Sequence, residues 1–316
     1  MEDSLHQTIL LPEAPVHSIL KEEESSKNPF ERLPDDLIVS HILDKIYEAK
    51  SLCLISLVSR RFSSLVYQTH VLSLRIALYW GRAPGQVLDF ETCAKFLAKF
   101  SSIKSLYVEL DYSRNLSGDV DPPVVKWKID TESASFMILT ARSLQLGTTD
   151  DDNDQGNAFN PDHFRLLRRF FNCCMIMACW WFKFVEKLVR LLPESLQKVV
   201  VADSKREGKV HFARRDIIRM RNGNSNFGVG ETNVKAWHAP FLILPLSGYV
   251  MKTVTLFIIK GTDRSDSDDL LIAKEAFDGE DDHQVYVEAI EETMKRDLIS
   301  QDVLPARDFS FYLNLD

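Results

Sequence analysis

The side chains able to carry out catalysis are scattered along this sequence rather than grouped at the spacings that chemistry requires. None of its eight histidines lies four residues from another, the spacing at which one helix face offers two nitrogens to a metal ion. His238 stands beside Trp237 and close to Pro240. We expect His238 in a packed turn rather than acting as a catalytic base.

Five cysteines, at positions 53, 93, 173, 174 and 179, form no Cys-x-x-Cys pair. A structural zinc site is therefore not expected. Three of the cysteines fall in one apolar segment, where the thiols of a reducing compartment pack as small apolar side chains. A nucleophilic thiolate needs a neighbouring base and access to solvent. Cys174 and Cys179 lie on a strongly apolar face, so we expect them in the core.

Two acidic runs and one glycine-rich run complete the candidate ligand sites. Residues 150–154 and 266–269 carry several carboxylates, the ligands that Ca²⁺ prefers, but neither run has the spacing of an EF-hand loop. We expect solvated acidic loops there. Residues 222–230 are rich in Gly and Asn but lack the Gly-Lys-Ser/Thr of a phosphate-binding loop. The sequence therefore predicts no catalytic residue, no metal and no cofactor.

The composition disfavours some classes of partner and compartment. A formal net charge of −8 argues against nucleic-acid binding, which needs a basic surface. Hydrophobic residues make up 45% of the chain, enough for a substantial core. The N-terminal sequence lacks a basic stretch followed by an apolar run and a small-residue cleavage site. We therefore expect a protein of the cytoplasm, the nucleus or both.

One apolar segment, residues 170–192, invites comparison with a membrane span. A membrane-spanning helix takes about 20 mostly uncharged residues. Lys183, Glu186, Lys187 and Arg190 interrupt the segment and leave only residues 173–182 as an unbroken apolar run. That length predicts a helix buried inside a soluble domain, so no membrane association is expected.

Apolar periodicity predicts an α/β (α+β) domain over residues 72–316. Leu72 and Leu74 alternate with their neighbours as in a strand, whereas Ile290 and Met294 recur at helical spacing. The predicted strands are 70–77, 106–110, 125–129, 136–140, 196–201, 253–259 and 309–315, and the predicted helices are 89–100, 161–192, 212–220 and 287–294.

Two of the predicted strands have the spacing of a leucine-rich repeat. The sequences are Ile103-x-x-Leu106-x-Val108 and Leu196-x-x-Val199-x-Val201. Such repeats recur about every 20–29 residues, and these two copies are much further apart. The pattern predicts an irregular, degenerate leucine-rich-repeat-like domain, with an ordinary α/β or α+β domain as the alternative.

Residues 29–71 predict three short helices that follow a flexible leader, residues 1–28. Pro34 and Asp35 suit a helix start, because proline fixes φ and an acidic residue favours the positive N-terminal end of a helix. We expect Ser51 and Ser59 to cap the second and third helices. The apolar stripe of the first helix consists of Leu37, Ile38, Ile42, Leu43 and Ile46.

The order of residues within 30–66 resembles the F-box. The family pattern opens with Leu-Pro, an acidic residue and an apolar pair, continues with Ile-Leu and closes with Val-Ser, two basic residues, an aromatic residue and Leu. Family members often have Trp in place of Phe62 and Lys in place of Arg60. The matching residues are Leu33-Pro34-Asp35-Asp36-Leu37-Ile38, Ile42-Leu43, Ile46, Val58-Ser59-Arg60-Arg61-Phe62 and Leu65.

The resemblance implies a non-catalytic substrate-recognition subunit of an SCF-type E3 ubiquitin ligase, similar to plant F-box proteins with a degenerate repeat-like C-terminal region. Residues 29–71 would form the F-box domain, which binds a Skp-type adaptor directly and cullin and RING subunits indirectly. Residues 72–316 would recruit an unknown protein substrate. The implied adaptor-binding residues are Leu33, Pro34, Leu37, Ile38, Ile42, Leu43, Ile46, Leu57, Val58, Arg60, Phe62 and Leu65.

Two alternatives to this interpretation stay open. The chain could be an α/β enzyme or ligand-binding domain with a chance F-box-like helical segment, which would not co-purify with a Skp-type adaptor. It could also be an F-box protein that binds the adaptor without directing degradation.

The size of the helical segment leads to an expectation about its surface. A trihelical segment of this length is too small to bury all its apolar residues. Some of them should therefore form a surface patch that needs a partner. We expect that patch to contain Leu33, Ile38, Ile42, Val58 and Phe62. Substrate contacts are expected in the loops near 148–159 and 222–231, because recognition concentrates in long loops.

Overall fold

The computed structural model describes residues 29–78, 90–112, 124–133, 135–147, 161–223, 227–228, 232–261, 269–276, 283–299 and 314–315. The predicted leader, the loop at 148–159 and most of the loop at 222–231 lie outside these residues. So do the acidic residues 150–154 and 266–268, and all of the predicted strand 309–315 except residues 314–315.

The three predicted N-terminal helical segments are present. After a 3₁₀ turn at Pro29–Arg32, the first runs from α1 (Asp35–Leu37) through a π-helical stretch (Ile38–Leu43) into α2 (Asp44–Ile46), the second is α3 (Ala49–Ser56) and the third is α4 (Arg60–Val66). Ser59 caps α4 as predicted, because its hydroxyl accepts the N–H of Phe62 at 3.2 Å. Ser51 does not cap α3: that helix begins two residues earlier, and the Ser51 hydroxyl donates to the Glu48 carboxylate instead.

The rest of the described chain is built around a mixed sheet. Its strands are β1 (Val71–Leu78), β2 (Ser105–Tyr112), β3 (Val124–Asp130), β4 (Ser135–Ala141), β5 (Ser143–Leu146), β6 (Lys198–Asp203), β7 (Gly208–Ala213), β9 (Thr232–Ile243) and β10 (Tyr249–Gly261), while β8 (Phe227–Gly228) pairs separately with β11 (Asn314–Leu315). The helices are α5 (Phe90–Leu97), α6 (Pro161–Val189), α7 (Arg214–Arg221), α8 (Asp269–Ala276) and α9 (His283–Met294).

The strand order is β1-β2-β6-β7-β3-β4-β10-β5, and β9 also pairs with β10. The predicted mixed α/β fold is therefore confirmed. The two strands with leucine-rich-repeat spacing are parallel neighbours, with Leu106 opposite Val199, and β1 pairs parallel with the other edge of β2. Because β6 and β7 are antiparallel, this run of adjacent parallel strands ends at β6. A leucine-rich-repeat-like description of the whole region stays a prediction.

Helix α6 covers one face of the sheet with a continuous apolar contact. The indole ring of Trp181 stacks on that of Trp127 in β3, with ring centroids 5.1 Å apart. Phe171 meets Phe136 of β4 edge to face at 5.3 Å. Aromatic pairs of this kind add to the stability that their area burial provides.

The expectation that residues 173–182 are wholly buried is wrong. Helix α6 buries Cys174, Met175, Ala178, Trp181 and Phe182, but it exposes Cys173, Ile176 and Trp180 on its other side. The run is amphipathic because only one side of a helix can face a sheet. The helix also ends at Val189, before the predicted stop at Pro193. Among the described helices, none combines the length and apolar character needed to cross a membrane.

Helix α9 covers part of the opposite sheet face. It buries Ala289 and Ile290 against Leu139 of β4 and Leu256 of β10 in a second apolar cluster. That cluster draws on the strands at the β4, β9 and β10 end of the sheet, where α9 packs. The two sheet faces are thus covered by different helices, and each takes alternate side chains of the same strands.

The N-terminal helices and the sheet share one apolar core. Ile38, Leu52 and Leu65 belong to the same cluster as Leu72 of β1 and Val199 of β6. Polar contacts support this junction. The Asp44 carboxylate accepts the backbone N–H of His70 at 2.7 Å and lies 2.8 Å from His70 Nδ1, and the Ser73 N–H donates to the Tyr47 carbonyl at 2.7 Å. The predicted boundary between residues 71 and 72 falls inside β1, so the division into 29–71 and 72–316 stays a prediction.

Periodicity misses several elements of the described fold. It does not predict β5, β7, β9 or α8, and it places Phe212 in a helix although Phe212 ends up in β7, before α7 begins at Arg214. Lys209 and His211 interrupt the apolar pattern of β7, because their side of the strand does not face α6. The charged half of an alternating strand is hard to distinguish from a loop in a single sequence.

Candidate functional site

Arg61 ties the Leu33-Pro34 turn to the start of α4. Its Nε and Nη2 atoms donate to Asp35 Oδ1 at 2.9 and 2.6 Å, its Nη1 donates to the Phe30 carbonyl at 2.8 Å, and its Nη2 also donates to the Leu33 carbonyl. A planar guanidinium offers several donors in a fixed geometry, so one side chain can bind three acceptors. This contact fixes the position of the Leu-Pro turn on the helical segment.

The sequence predicts adaptor binding by Arg60 and does not identify a role for Arg61. Arg60 is exposed, whereas Arg61 makes the contacts that hold the turn. The two arginines are adjacent in the sequence, and only the fold of residues 30–61 distinguishes them. The pairing of Arg61 with the first acidic residue of the motif, Asp35, is the signal that could have identified it.

The last turn of α3 and the loop that follows it expose three large apolar side chains. Leu54 is 61% exposed, Leu57 is 81% exposed and Val58 is 71% exposed. Backbone hydrogen bonds from the Leu57 N–H to the Leu54 carbonyl and from the Val58 N–H to the Ile55 carbonyl hold this turn. We call Leu54, Leu57 and Val58 the α3–α4 surface. Leu54 was not predicted as a site residue.

The other predicted adaptor-binding residues divide into three groups by exposure. Pro34, Leu37 and Arg60 are exposed; Leu33, Ile42, Ile46 and Phe62 are half-buried; Ile38, Leu43 and Leu65 are buried. The structure therefore places nine of the twelve at least partly on the surface and three in the core.

The expectation that Ile38 contributes to a surface patch is wrong. Its side chain is 0% exposed and packs in the cluster that contains Leu52 and Leu65. The expectation assumed that the helical segment had only its own residues to bury against. The sheet supplies the missing partner, because Leu72 of β1 belongs to the same cluster. Packing against the sheet leaves the α3–α4 turn, on another side of the helices, as the exposed apolar part.

Cys174, Cys179 and His238, the side chains considered for reactivity, are all at least partly buried. Burial raises the pKa of the Cys174 thiol well above its ordinary value and also raises that of Cys179. His238 lies in β9 rather than in a turn, with its Nδ1 3.0 Å from Thr255 Oγ1, and burial lowers the pKa of its imidazole. Within the described part of the chain, no three His, Cys, Asp or Glu side chains converge as metal ligands would.

Replacing Arg61 with Ala should lower the free energy of unfolding by about 1–2 kcal/mol, because charge-assisted hydrogen bonds at a partly exposed site are lost. Chemical denaturation of the full-length protein measures this change. Arg60→Ala is the matched control, since it removes an exposed guanidinium one residue away and should change stability little. Equal effects of the two substitutions would contradict the proposed tie between the Leu-Pro turn and α4.

Comparison with known proteins gives two relatives that match most of the chain. F-box protein AUF2 of Arabidopsis thaliana is 28% identical over 312 residues, which cover 84% of this chain and 96% of the relative. F-box protein AUF1 of the same plant is 25% identical over 329 residues, with the same coverage of both chains. No family model matches the chain, and no solved structure does. The similarity extends well beyond a helical motif, since coverage this large must include most of the sheet region.

Proposed function

We propose that this chain, which belongs to the F-box protein family, is the substrate-recognition subunit of an SCF-type E3 ubiquitin ligase. Its N-terminal helices would bind a Skp-type adaptor directly, and the adaptor would link it to cullin and RING subunits. Residues 72–316 would recruit the target protein. We place this activity in the cytoplasm, the nucleus or both.

The α3–α4 surface is the observation that supports adaptor binding most strongly. Burying a large apolar side chain contributes about 1.5–3 kcal/mol, so three such side chains exposed close together in the sequence favour a protein partner over solvent. Leu57 and Val58 also belong to the part of the sequence that matches the F-box pattern. Exposed Leu37 and half-buried Leu33 and Phe62 are further candidates for this contact.

This function requires positioning rather than chemistry from the chain itself. Holding a target close to a conjugating enzyme raises the effective concentration of the target's lysines. The ubiquitin-transfer steps would belong to other subunits of the ligase. The role of the protein is then to bind an adaptor and a target at the same time, which makes it a non-catalytic subunit.

Replacing Leu57 and Val58 with Asp should weaken binding of a Skp-type adaptor by about 100-fold or more, because two buried apolar contacts are lost and two charges are desolvated. Titration of the purified adaptor against full-length protein measures this affinity. Far-ultraviolet circular dichroism should be unchanged, since both side chains are exposed in the unbound protein.

Leu246→Asp provides the matched control for this experiment. Leu246 is 87% exposed, like Leu57, but it follows β9 in the sheet region. The Leu246→Asp protein should bind the adaptor as tightly as the unchanged protein does. An unchanged protein that fails to bind any Skp-type adaptor would instead support an α/β enzyme or ligand-binding domain. Adaptor binding without ubiquitination of any bound protein would indicate an F-box protein with another role.

A further inference from the structure

A groove of about 1090 Å³ lies over the sheet face opposite α6. Trp127 and Phe212 point from β3 and β7 toward α6, so their neighbours Lys128 and His211 point the other way. The groove runs across β2, β6, β7 and β3, and its floor includes the apolar or small side chains of Tyr107, Val200 and Ala202.

The groove carries an excess of positive side chains in a chain of net charge −8. Its lining includes five Lys or Arg residues, Lys128, Lys198, Arg206, Lys209 and Arg214, and four acidic residues, Glu109, Asp130, Glu132 and Asp203. The positive side chains come from three strands, from the turn between β6 and β7 and from the first residue of α7, so they surround the groove rather than form one local cluster.

Three of the four acidic side chains in the groove are engaged by the fold. The buried Asp203 carboxylate accepts the backbone N–H groups of Lys205, Glu207 and Gly208. Asp130 Oδ1 accepts the N–H of Glu132 at 3.0 Å. Glu109 forms an ion pair of 2.6 Å with Arg75 of β1, and Asp130 also lies 3.5 Å from Nζ of Lys128. Apart from the ion pairs of Glu109 and Asp130, the charged side chains of the lining are four cations, Lys198, Arg206, Lys209 and Arg214, and two carboxylates, Asp203 and Glu132.

His211, on the groove side of β7, reports the local potential. Burial and the charge of Lys128 lower the pKa of its imidazole to about 3. Lys198 and Lys209 lower this pKa further, and only Asp130 among the neighbouring groups raises it. An anion bound beside His211 would raise this pKa, because it would favour the protonated ring. The imidazole can therefore serve as a probe of what the groove binds.

We propose that this groove binds an acidic, extended segment of the target protein. This inference rests on the proposed function, because it assigns the target-recruiting surface to the sheet rather than to the loops at 148–159 and 222–231. Four strands at a spacing of about 4.8 Å make a floor roughly 14 Å across, which matches about four residues of an extended peptide. Such a peptide could place carboxylates among the lysines and arginines while its backbone lies over Tyr107 and Val200.

The charge of the whole chain favours a short acidic segment over a nucleic acid. A long polyanion would meet the overall negative charge of the protein beyond the groove. A short peptide would meet only the local positive surface, since charges further away than about 10 Å are largely screened at ordinary salt. Binding should therefore weaken as the salt concentration rises.

Fluorescence anisotropy with a labelled Asp/Glu-rich peptide and the full-length protein tests the proposal. Lys198→Glu together with Lys209→Glu should weaken peptide binding by about tenfold or more, because two attractive charges become repulsive. Lys187→Glu together with Arg219→Glu is the matched control, since these exposed side chains lie on α6 and α7, on the other side of the sheet. The control should bind within about twofold of the unchanged protein.

Nuclear magnetic resonance of His211 provides a second measurement that needs no variant. At neutral pH, addition of the acidic peptide should shift the ring resonances of His211, which lines the groove, whereas a Lys-rich peptide of the same length should not. Equal binding of both peptides would overturn the proposal, as would an unchanged affinity in the Lys198→Glu, Lys209→Glu protein. Equally tight binding of a DNA oligonucleotide of the same charge would identify an unselective anion site instead, and would also overturn it.

These results are separable from failure of the proposed function. The peptide assay contains no adaptor, and Lys198→Glu, Lys209→Glu protein should bind the Skp-type adaptor normally. Loss of adaptor binding by the unchanged protein would contradict the ligase role without affecting the peptide result. Failure of peptide binding with intact adaptor binding would contradict only the assignment of the groove.

Discussion

Asp269→Ala is expected to lower the free energy of unfolding by about 3–5 kcal/mol, because it leaves buried positive charges without their counter-charge. Asp269 is the first residue of α8 and is buried. Its Oδ1 lies 2.5 Å from Nζ of Lys260, which is 1% exposed in β10, and its Oδ2 accepts from Nζ of Lys235 in β9 at 2.8 Å. One carboxylate thus connects α8 to two strands.

Chemical denaturation at constant pH and salt measures this loss. Glu292→Ala is the control, since its pair with Lys295 is exposed and such pairs contribute about 0–1 kcal/mol. Replacing Asp269, Lys235 and Lys260 together with apolar residues of similar size should recover much of the stability, because no buried charge is then left unpaired. If Asp269→Ala is as mild as Glu292→Ala, the three charges do not form a buried ionic group.

Gly208→Ala is expected to destabilise the protein by about 3 kcal/mol or more, because overpacking a rigid core has a large cost. A Cβ atom at Gly208 would lie 2.1–2.4 Å from three atoms of the Trp127 indole ring. Trp127 cannot easily move away, since it is buried and stacked on Trp181. Gly208 is also held in place by its N–H, which donates to the Asp203 carboxylate.

A double-mutant cycle tests this explanation. Trp127→Val alone should also destabilise the protein, because it leaves a cavity beside Trp181. The same substitution should remove most of the clash in Gly208→Ala protein, so the double variant should be more stable than the sum of the single effects predicts. Thermal or chemical denaturation of the four proteins gives the coupling free energy. Additive effects would show that the Trp127 ring is not what excludes a side chain at position 208.

Both predictions depend on contacts that the sequence does not reveal. A lysine at position 260 and an aspartate at 269 look like solvated residues in a linear sequence, because the ion pair forms only when α8 packs against β10. The requirement for glycine at 208 likewise comes from Trp127, which lies far away in the sequence. Periodicity reports which elements form, but it does not report which side chains of different elements meet.

The elements with strong apolar periodicity were predictable for a physical reason. Strand β2 and helices α6 and α9 bury one side against a core, so their apolar side chains repeat at the period of the element. Strands β4 and β10 are largely buried on both faces, so they were visible as continuous apolar runs. Strand β7 was missed because half of its side chains line the groove. The F-box-like order of residues was visible for a different reason, since it is a match of residue types and not of period.

The candidate site was only partly predictable at the level of single residues. Leu57 and Val58 were identified and are exposed, whereas Ile38 was assigned to the surface and is buried. An apolar stripe on a short helix gives no information about whether a neighbouring sheet covers it. Leu54 and Arg61 were missed for the same reason, because the turn after α3 and the contacts of the guanidinium appear only in the folded chain.

The single core shared by the N-terminal helices and the sheet has a consequence for how the ligase would choose its product. Because Asp44 is bonded to His70 and Tyr47 to Ser73, hydrogen bonds as well as the shared core join the helices that carry the α3–α4 surface to the sheet that carries the groove. A target protein bound in the groove would be held in a restricted orientation relative to the α3–α4 surface. Only those of its lysines that face the incoming ubiquitin would then be modified. The orientation of the bound target protein, more than the residues that flank a lysine, would then determine which lysine receives ubiquitin.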